Sequence, residues 1–235
     1  MTHIRYGEQC EKENRWGAGQ ARSVDQAAFS RHQLGNGAEL LWRVEGGEVE
    51  MVMTAVTNTW VGIGWRPQGA DKSCHDFPSN IAKYRASDFS GMDCNDMVIG
   101  AAREGVGRVA DYYTRDRSTP RYDKLSSPCH WSESLNSDWL FIARLDSVWG
   151  GEDDLVSAHA WEEDGNTRMR FLKKVSGGPG DHDMAGSLLV VWAHGQLDTF
   201  YKEDQLKFHS RSNRGVTSLG EFFYDLSKLP SSDSD

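Results

Sequence analysis

The chain has no apolar run approaching the roughly 20 residues that a membrane-crossing helix needs. Basic charge is scarce: 26 Lys and Arg stand against 35 Asp and Glu, a formal net charge of −9. A phosphate-binding surface needs the opposite sign, so this balance argues against nucleic acid as a partner and against adhesion to anionic lipid. Paired cysteines are missing as well. Cys10, Cys74, Cys94 and Cys129 are separated by 64, 20 and 35 residues, which offers no CxxC pair for zinc. No GxSxG elbow, P-loop or HExxH motif occurs. The acidic clusters "EDD" (152–154) and "EED" (162–164) read as solvated turn charge. Among eight histidines there is no HxH pair to suggest copper, and "DHD" (181–183) reads as a polar turn after "GGPG". The opening "MTHIRYGEQC" does not read as a secretory leader. There is no internal repeat and no long segment of helical period.

Mean hydropathy is −0.63, so the apolar residues must be concentrated in short segments. They fall in runs rich in β-branched and aromatic residues, broken by Gly, Asn and Asp: 38–44, 48–56, 59–65, 96–102, 107–114, 139–145, 155–161, 168–175, 187–195 and 215–223. "EGGE", "REGVG" and "EEDGNT" sit between neighbouring runs as hairpin turns. About ten strands without a helical partner predict an all-β chain, a two-sheet β-sandwich. The best helical candidate is "SVDQAAFSRH" (23–32). Two long polar connections, 66–91 and 124–138, carry Cys74 and Cys129. All four cysteines lie in polar, turn-like sequence. An even count in such places favours two disulfides and an extracellular or secreted setting, with three possible pairings.

Five stretches, in this order, resemble a known family: "NTWVGIGW" (58–65), "MDCNDMVIG" (92–100), "GRVADYYTRDRSTPRYD" (107–123), "VVWAHG" (190–195) and "FHSRSNRGVTSLGEFF" (208–223). Together they are similar to the DOMON domain family, which includes the N-terminal domain of dopamine β-monooxygenase and the cytochrome domain of cellobiose dehydrogenase. The resemblance covers roughly residues 35–225 and implies an immunoglobulin-like β-sandwich of ten or eleven strands, in agreement with the strand count. It implies one DOMON-like domain over 1–235, with an N-terminal extension (1–34) and a C-terminal tail (226–235).

In the haem-binding branch of that family a Met and a His are the axial ligands of a haem b. The resemblance places the Met at Met92, ahead of "DMVIGAA", and the His at His209, with His194 as its rival. Arg211 and Arg214 become the candidates for gripping the haem propionates, ahead of Arg115, Arg117 and Arg121, which read as a solvated hairpin end. Met97 and His159 read as structural, inside their strands. The function implied is an extracellular haem b domain for electron transfer, not itself an enzyme. Its partner would be a redox protein: a membrane cytochrome, a flavoprotein or another domain of a longer chain. The alternative is a haem-free module that binds carbohydrate, a small ligand or a protein.

Overall fold

The computed structural model describes residues 15–18, 28–68, 92–114, 144–145, 154–178, 181–197 and 209–223. Of the sequence features above, Cys10, Cys74, Cys129, Arg115, Arg117 and Arg121 lie outside these residues, as do both long connections for most of their length. The described residues form an all-β sandwich of two antiparallel sheets.

The larger sheet holds β1 (Arg15–Ala18), β5 (Trp60–Pro67), β6 (Asn95–Arg103), β7 (Val106–Thr114), β8 (Arg144–Leu145), β11 (Gly186–His194) and β12 (Arg214–Phe223). Their order is β1-β7-β6-β5-β11-β12, with β8 also paired to β7. The smaller sheet is β2 (Ser30–Gly35), β3 (Ala38–Glu45), β4 (Glu48–Ala55), β10 (Asn166–Lys174) and β9 (Leu155–Glu163), in the order β2-β3-β4-β10-β9. Nine of the ten expected strands appear within a residue or two of their predicted bounds. The tenth is described only over Arg144–Leu145.

The three predicted hairpins are present. Each turns on two residues of positive φ, Gly46 and Gly47, Glu104 and Gly105, and Asp164 and Gly165. Two positive φ values in succession match the right-handed twist of the strands they join.

The helix expected over 23–32 is a correction. Residues 30–32 belong to β2, and 23–27 lie outside the described residues. The sequence "LGNGA" explains it: Gly35, Asn36 and Gly37 all have positive φ and fold β2 back onto β3, so Arg31 pairs with Leu41 and His32 with Leu40. A turn of this kind with a ready partner strand outweighs a weak helical preference.

Side chains alternate between the two faces of each strand. Leu40, Met51, Met53, Met169 and Phe171 of the smaller sheet meet Ile63, Trp65, Val98, Val190 and Trp192 of the larger one in a single buried core. Trp65 stacks on Phe171 across the gap, with centroids 6.3 Å apart. At one corner the sheets nearly touch: a Cβ on Gly107 would lie 1.8 Å from the carbonyl oxygen of Ala160, so no larger residue fits there.

Candidate cofactor-binding face

The solvent side of a sandwich sheet is ordinarily polar. On the central strands of the larger sheet, β7, β6, β5 and β11, the outer side carries buried apolar clusters. Met97, Ala110, Tyr112 and Val191 form one cluster, with Met92 packed against it. Trp60, Ala101 and Ala193 form a second. Ile99 packs against both and joins them into a stripe across β7, β6, β5 and β11. Its floor is shallow, because Gly62, Gly64, Ala101, Ala110 and Ala193 contribute little or no side chain. At Gly62 a Cβ would meet Ile99 Cγ1 at 3.3 Å; at Gly64 it would lie 2.6 Å from Met97 Cγ and 2.8 Å from the Asp96 carbonyl oxygen.

Met92 stands at one end of this stripe, half buried, in the turn that enters β6. The turn is held from several sides. Arg66 Nη1 and Asn95 Nδ2 both donate to the carbonyl of Asp93, the latter over 3.2 Å. The Asn95 N–H donates to Thr114 Oγ1 at 3.0 Å. His182 Nε2 lies 2.8 Å from the carbonyl oxygen of Cys94, and the His182 N–H donates to Asp96 Oδ2. Cys94 is fully buried, sits at φ 58° and is disulfide-bonded. Burial lowers the pKa of Arg66 against the opposing pull of Asp93 and Tyr113.

His209 stands at the other end. Its ring lies 6.3 Å from that of Trp60. Nδ1 is 3.2 Å from the carbonyl oxygen of Ser210. A carbonyl only accepts, so that contact puts the proton on Nδ1 and the lone pair on Nε2, the tautomer in which an imidazole can ligate a metal. Burial lowers its pKa, opposed by the Ser210 hydrogen bond and reinforced by the charge of Arg214. The ring is therefore neutral at neutral pH.

His194 is placed differently. It follows Ala193 on β11 and shares the inward side with Trp192, on which it stacks with ring planes 11° apart. The Gly195 carbonyl lies 3.0 Å from its Nδ1, and burial lowers its pKa against hydrogen bonds the ring donates to the backbone of Gly195 and Asn36. Of the two candidate histidines, His209 shares a face with Met92. Arg214 opposes Ala193 in register and is exposed, as is Arg211 in the preceding turn. Met97 is buried within its strand, as expected, and belongs to the cluster on the outer side, since β6 is buried on both faces.

A second polar assembly was not expected from the sequence. Lys173 points inward from β10 and is 0% exposed. Its Nζ lies 2.7 Å from Asp154 Oδ1, 3.3 Å from Asp181 Oδ1, 3.4 Å from Asp111 Oδ2 and 5.2 Å from the centre of the Trp65 ring. Burial alone would drive Lys173 neutral, but Asp111, Asp181, Asp96 and Asp154 outweigh it and hold the ammonium charged. Burial pushes Asp111 well above the usual carboxylate range and raises Asp181, in each case against the attraction of Lys173. The three carboxylates are close enough to hold a metal ion, but the ammonium already supplies a cation in their midst. The signal was in "MRFLK": Met169 and Phe171 face inward, so alternation carries Lys173 inward too.

A third feature lies on the outer side of the smaller sheet. It is an open groove of about 640 Å³ bounded by Glu45, Glu48, Arg170 and the stacked pair His159 and Trp161, whose centroids are 5.4 Å apart. Glu50 at its floor accepts from both Arg43 and Arg170.

No protein-family model matches the chain, and no curated protein matches it. Among solved structures, the cytochrome b domain of pyranose dehydrogenase from Coprinopsis cinerea is similar, with a TM-score of 0.43 and 14% sequence identity over 82% of this chain and 82% of that one.

Proposed function

We propose that this chain is a haem b-binding domain that serves in electron transfer, with Met92 and His209 as the axial ligands. One observation carries the reading: a buried apolar stripe on the outer side of a sheet, with a thioether at one end and a neutral imidazole at the other. The small glycine and alanine side chains of the floor leave apolar space between the two ends for such a group. Arg211 and Arg214 would pair with its carboxylates through charge-assisted hydrogen bonds.

Held by Met92 and His209, such a group would supply one-electron transfer at a raised potential. The chain's own residues fix the ligands, exclude water and leave the turnover of substrate to a partner. That partner is a redox protein or a membrane cytochrome. The disulfide at Cys94 supports an extracellular setting. The test is hemin titration of the oxidised protein. A sharp Soret band is expected, lost or shifted in Met92→Ala and His209→Ala; a wild-type protein that gives no such band sinks the reading.

The groove beside His159 and Trp161 favours a second reading, a binding module for carbohydrate or another polar small ligand. Carboxylates and guanidinium groups there flank an aromatic stack, the mixture that polar ligands with an apolar face use. Titration with a panel of oligosaccharides, followed by indole fluorescence in wild type and Trp161→Ala, separates this reading from the first.

A further inference from the structure

Met92 belongs to the larger sheet, yet part of what holds its turn comes from the smaller one. Beyond Lys173 the chain leaves β10 and crosses toward β11. Its path is pinned where it starts and where it ends. The Val175 N–H donates to the carbonyl of Gly47 at 2.9 Å, and the Met184 N–H donates to the carbonyl of Val175 at 2.8 Å. Between these anchors Asp181 reaches back to Lys173. The next residue, His182, reaches forward to the Met92 turn. Its backbone N–H bonds Asp96, its Nε2 bonds the Cys94 carbonyl at 2.8 Å, and its ring rests 6.0 Å from that of Tyr113.

Adjacent residues therefore grip opposite sheets. We infer that Asp181 and His182 act as a clasp that positions the Met92 thioether, with Lys173 as its buried anchor. His182 is a positioning residue: it bonds the carbonyl two residues after Met92 and the side chain of Asp96. Arg66, Asn95 and Thr114 tie the same turn, but all three belong to strands of the larger sheet and move with it. The clasp adds the reference that those ties lack, the spacing between the sheets. In its absence the turn can tilt away from the stripe while every bond within its own sheet survives. The role rests on the haem reading only in its purpose; the mechanical claim concerns the protein alone.

The experiment reads Met92 without haem. The haem-free chain is exposed to dilute hydrogen peroxide, and conversion of Met92 to its sulfoxide is followed by peptide mass spectrometry. Wild type is compared with His182→Gln, which keeps a side-chain N–H donor, with His182→Ala and Asp181→Asn, which break the clasp, and with Phe171→Leu, which weakens the core elsewhere. The expected result is oxidation faster by about ten-fold in His182→Ala and Asp181→Asn, the factor allowed by loss of one hydrogen bond of ordinary net strength. Wild-type rates are expected in His182→Gln and Phe171→Leu. Equal rates in His182→Ala and wild type overturn the proposal, as does a Phe171→Leu rate as high as that of the clasp variants at matched thermal stability. A companion hemin titration keeps the two ideas apart. If wild type takes no haem, the axial-ligand reading fails while the oxidation rates still judge the clasp.

Discussion

Asp154 Oδ1 lies 2.7 Å from Lys173 Nζ, inside a protein where that lysine has no exposed surface. A buried ammonium of this kind is stabilising only as part of its set. Removing it strands Asp111, Asp154 and Asp181 without a counter-charge. Lys173→Met is expected to destabilise the fold by about 3–5 kcal/mol, the cost of leaving buried charge uncompensated. Adding Asp111→Asn to Lys173→Met should recover part of that loss. Urea titration of the two variants checks both statements.

The same cluster sets a pH dependence. Asp111 and Asp181 hold their protons more tightly folded than unfolded, because burial raises them. Between the unfolded value and the raised folded one, the folded state binds more protons, so stability falls as pH rises. His182, His194 and His209 are shifted down by burial and act below their ordinary value, where stability falls as pH drops. The carboxylate effect is isolated by comparing wild type with Asp111→Asn. As pH rises above the unfolded carboxylate value, the wild type should lose more stability than the variant, measured as the midpoint of thermal unfolding at each pH.

The two candidate histidines should separate in experiment. His209→Ala is expected to abolish the low-spin haem spectrum with little change in the stability of the haem-free protein, since His209 is only half buried. His194→Ala should do the reverse. It empties a fully buried, stacked position and costs about 1–3 kcal/mol through the polar groups it leaves unpaired, while hemin still binds. Paired hemin titration and chemical denaturation decide the matter.

Gly62→Ala is expected to be tolerated, because its new methyl meets only the end of Ile99 at 3.3 Å, yet to weaken haem uptake by roughening the floor. Gly64→Ala meets a backbone oxygen at 2.8 Å and should cost about 1–3 kcal/mol as an overpacked site. Thermal melts without haem and hemin affinity report the two effects separately.

Reduction should loosen the Met92 turn. Cys94→Ser is expected to lower stability by about 2–4 kcal/mol, as loss of a disulfide in a chain of this kind does, and added dithiothreitol should have no further effect on that variant through this bond.

Much of the scaffold was legible because its signals are local. "EGGE" and "EEDGNT" specify hairpins within a few residues, and alternating strands such as "RMRFLKK" announce which side is buried. β2 escaped notice because its evidence is the Asn-Gly turn and the strand after it, while "DQAAF" draws attention to a helix. Met92 and His209 are proposed from resemblance to a family rather than from any spacing. Their common face became visible only through register, which pairs Trp60 with Ala101 and Gly64 with Met97. Arg66, His182 and Lys173 were missed for a related reason. Each acts across a gap between elements distant in the chain, and a linear sequence carries no mark of such a meeting except the inward parity of Lys173.

The burial of β5 on both faces has a consequence for how the strand knows its own alignment. A strand with one wet face is punished for slipping by a single residue, since every apolar group is then turned toward water. β5 has no such penalty, because "WVGIGW" is apolar either way up. What distinguishes its two orientations is bulk: Trp60, Gly62 and Gly64 on one side, Val61, Ile63 and Trp65 on the other. A shift of one residue would thrust the large side chains into the shallow stripe and leave holes in the core opposite. The glycine spacing thus acts as a steric key for strand alignment, in a sheet where hydrophobicity has stopped supplying one.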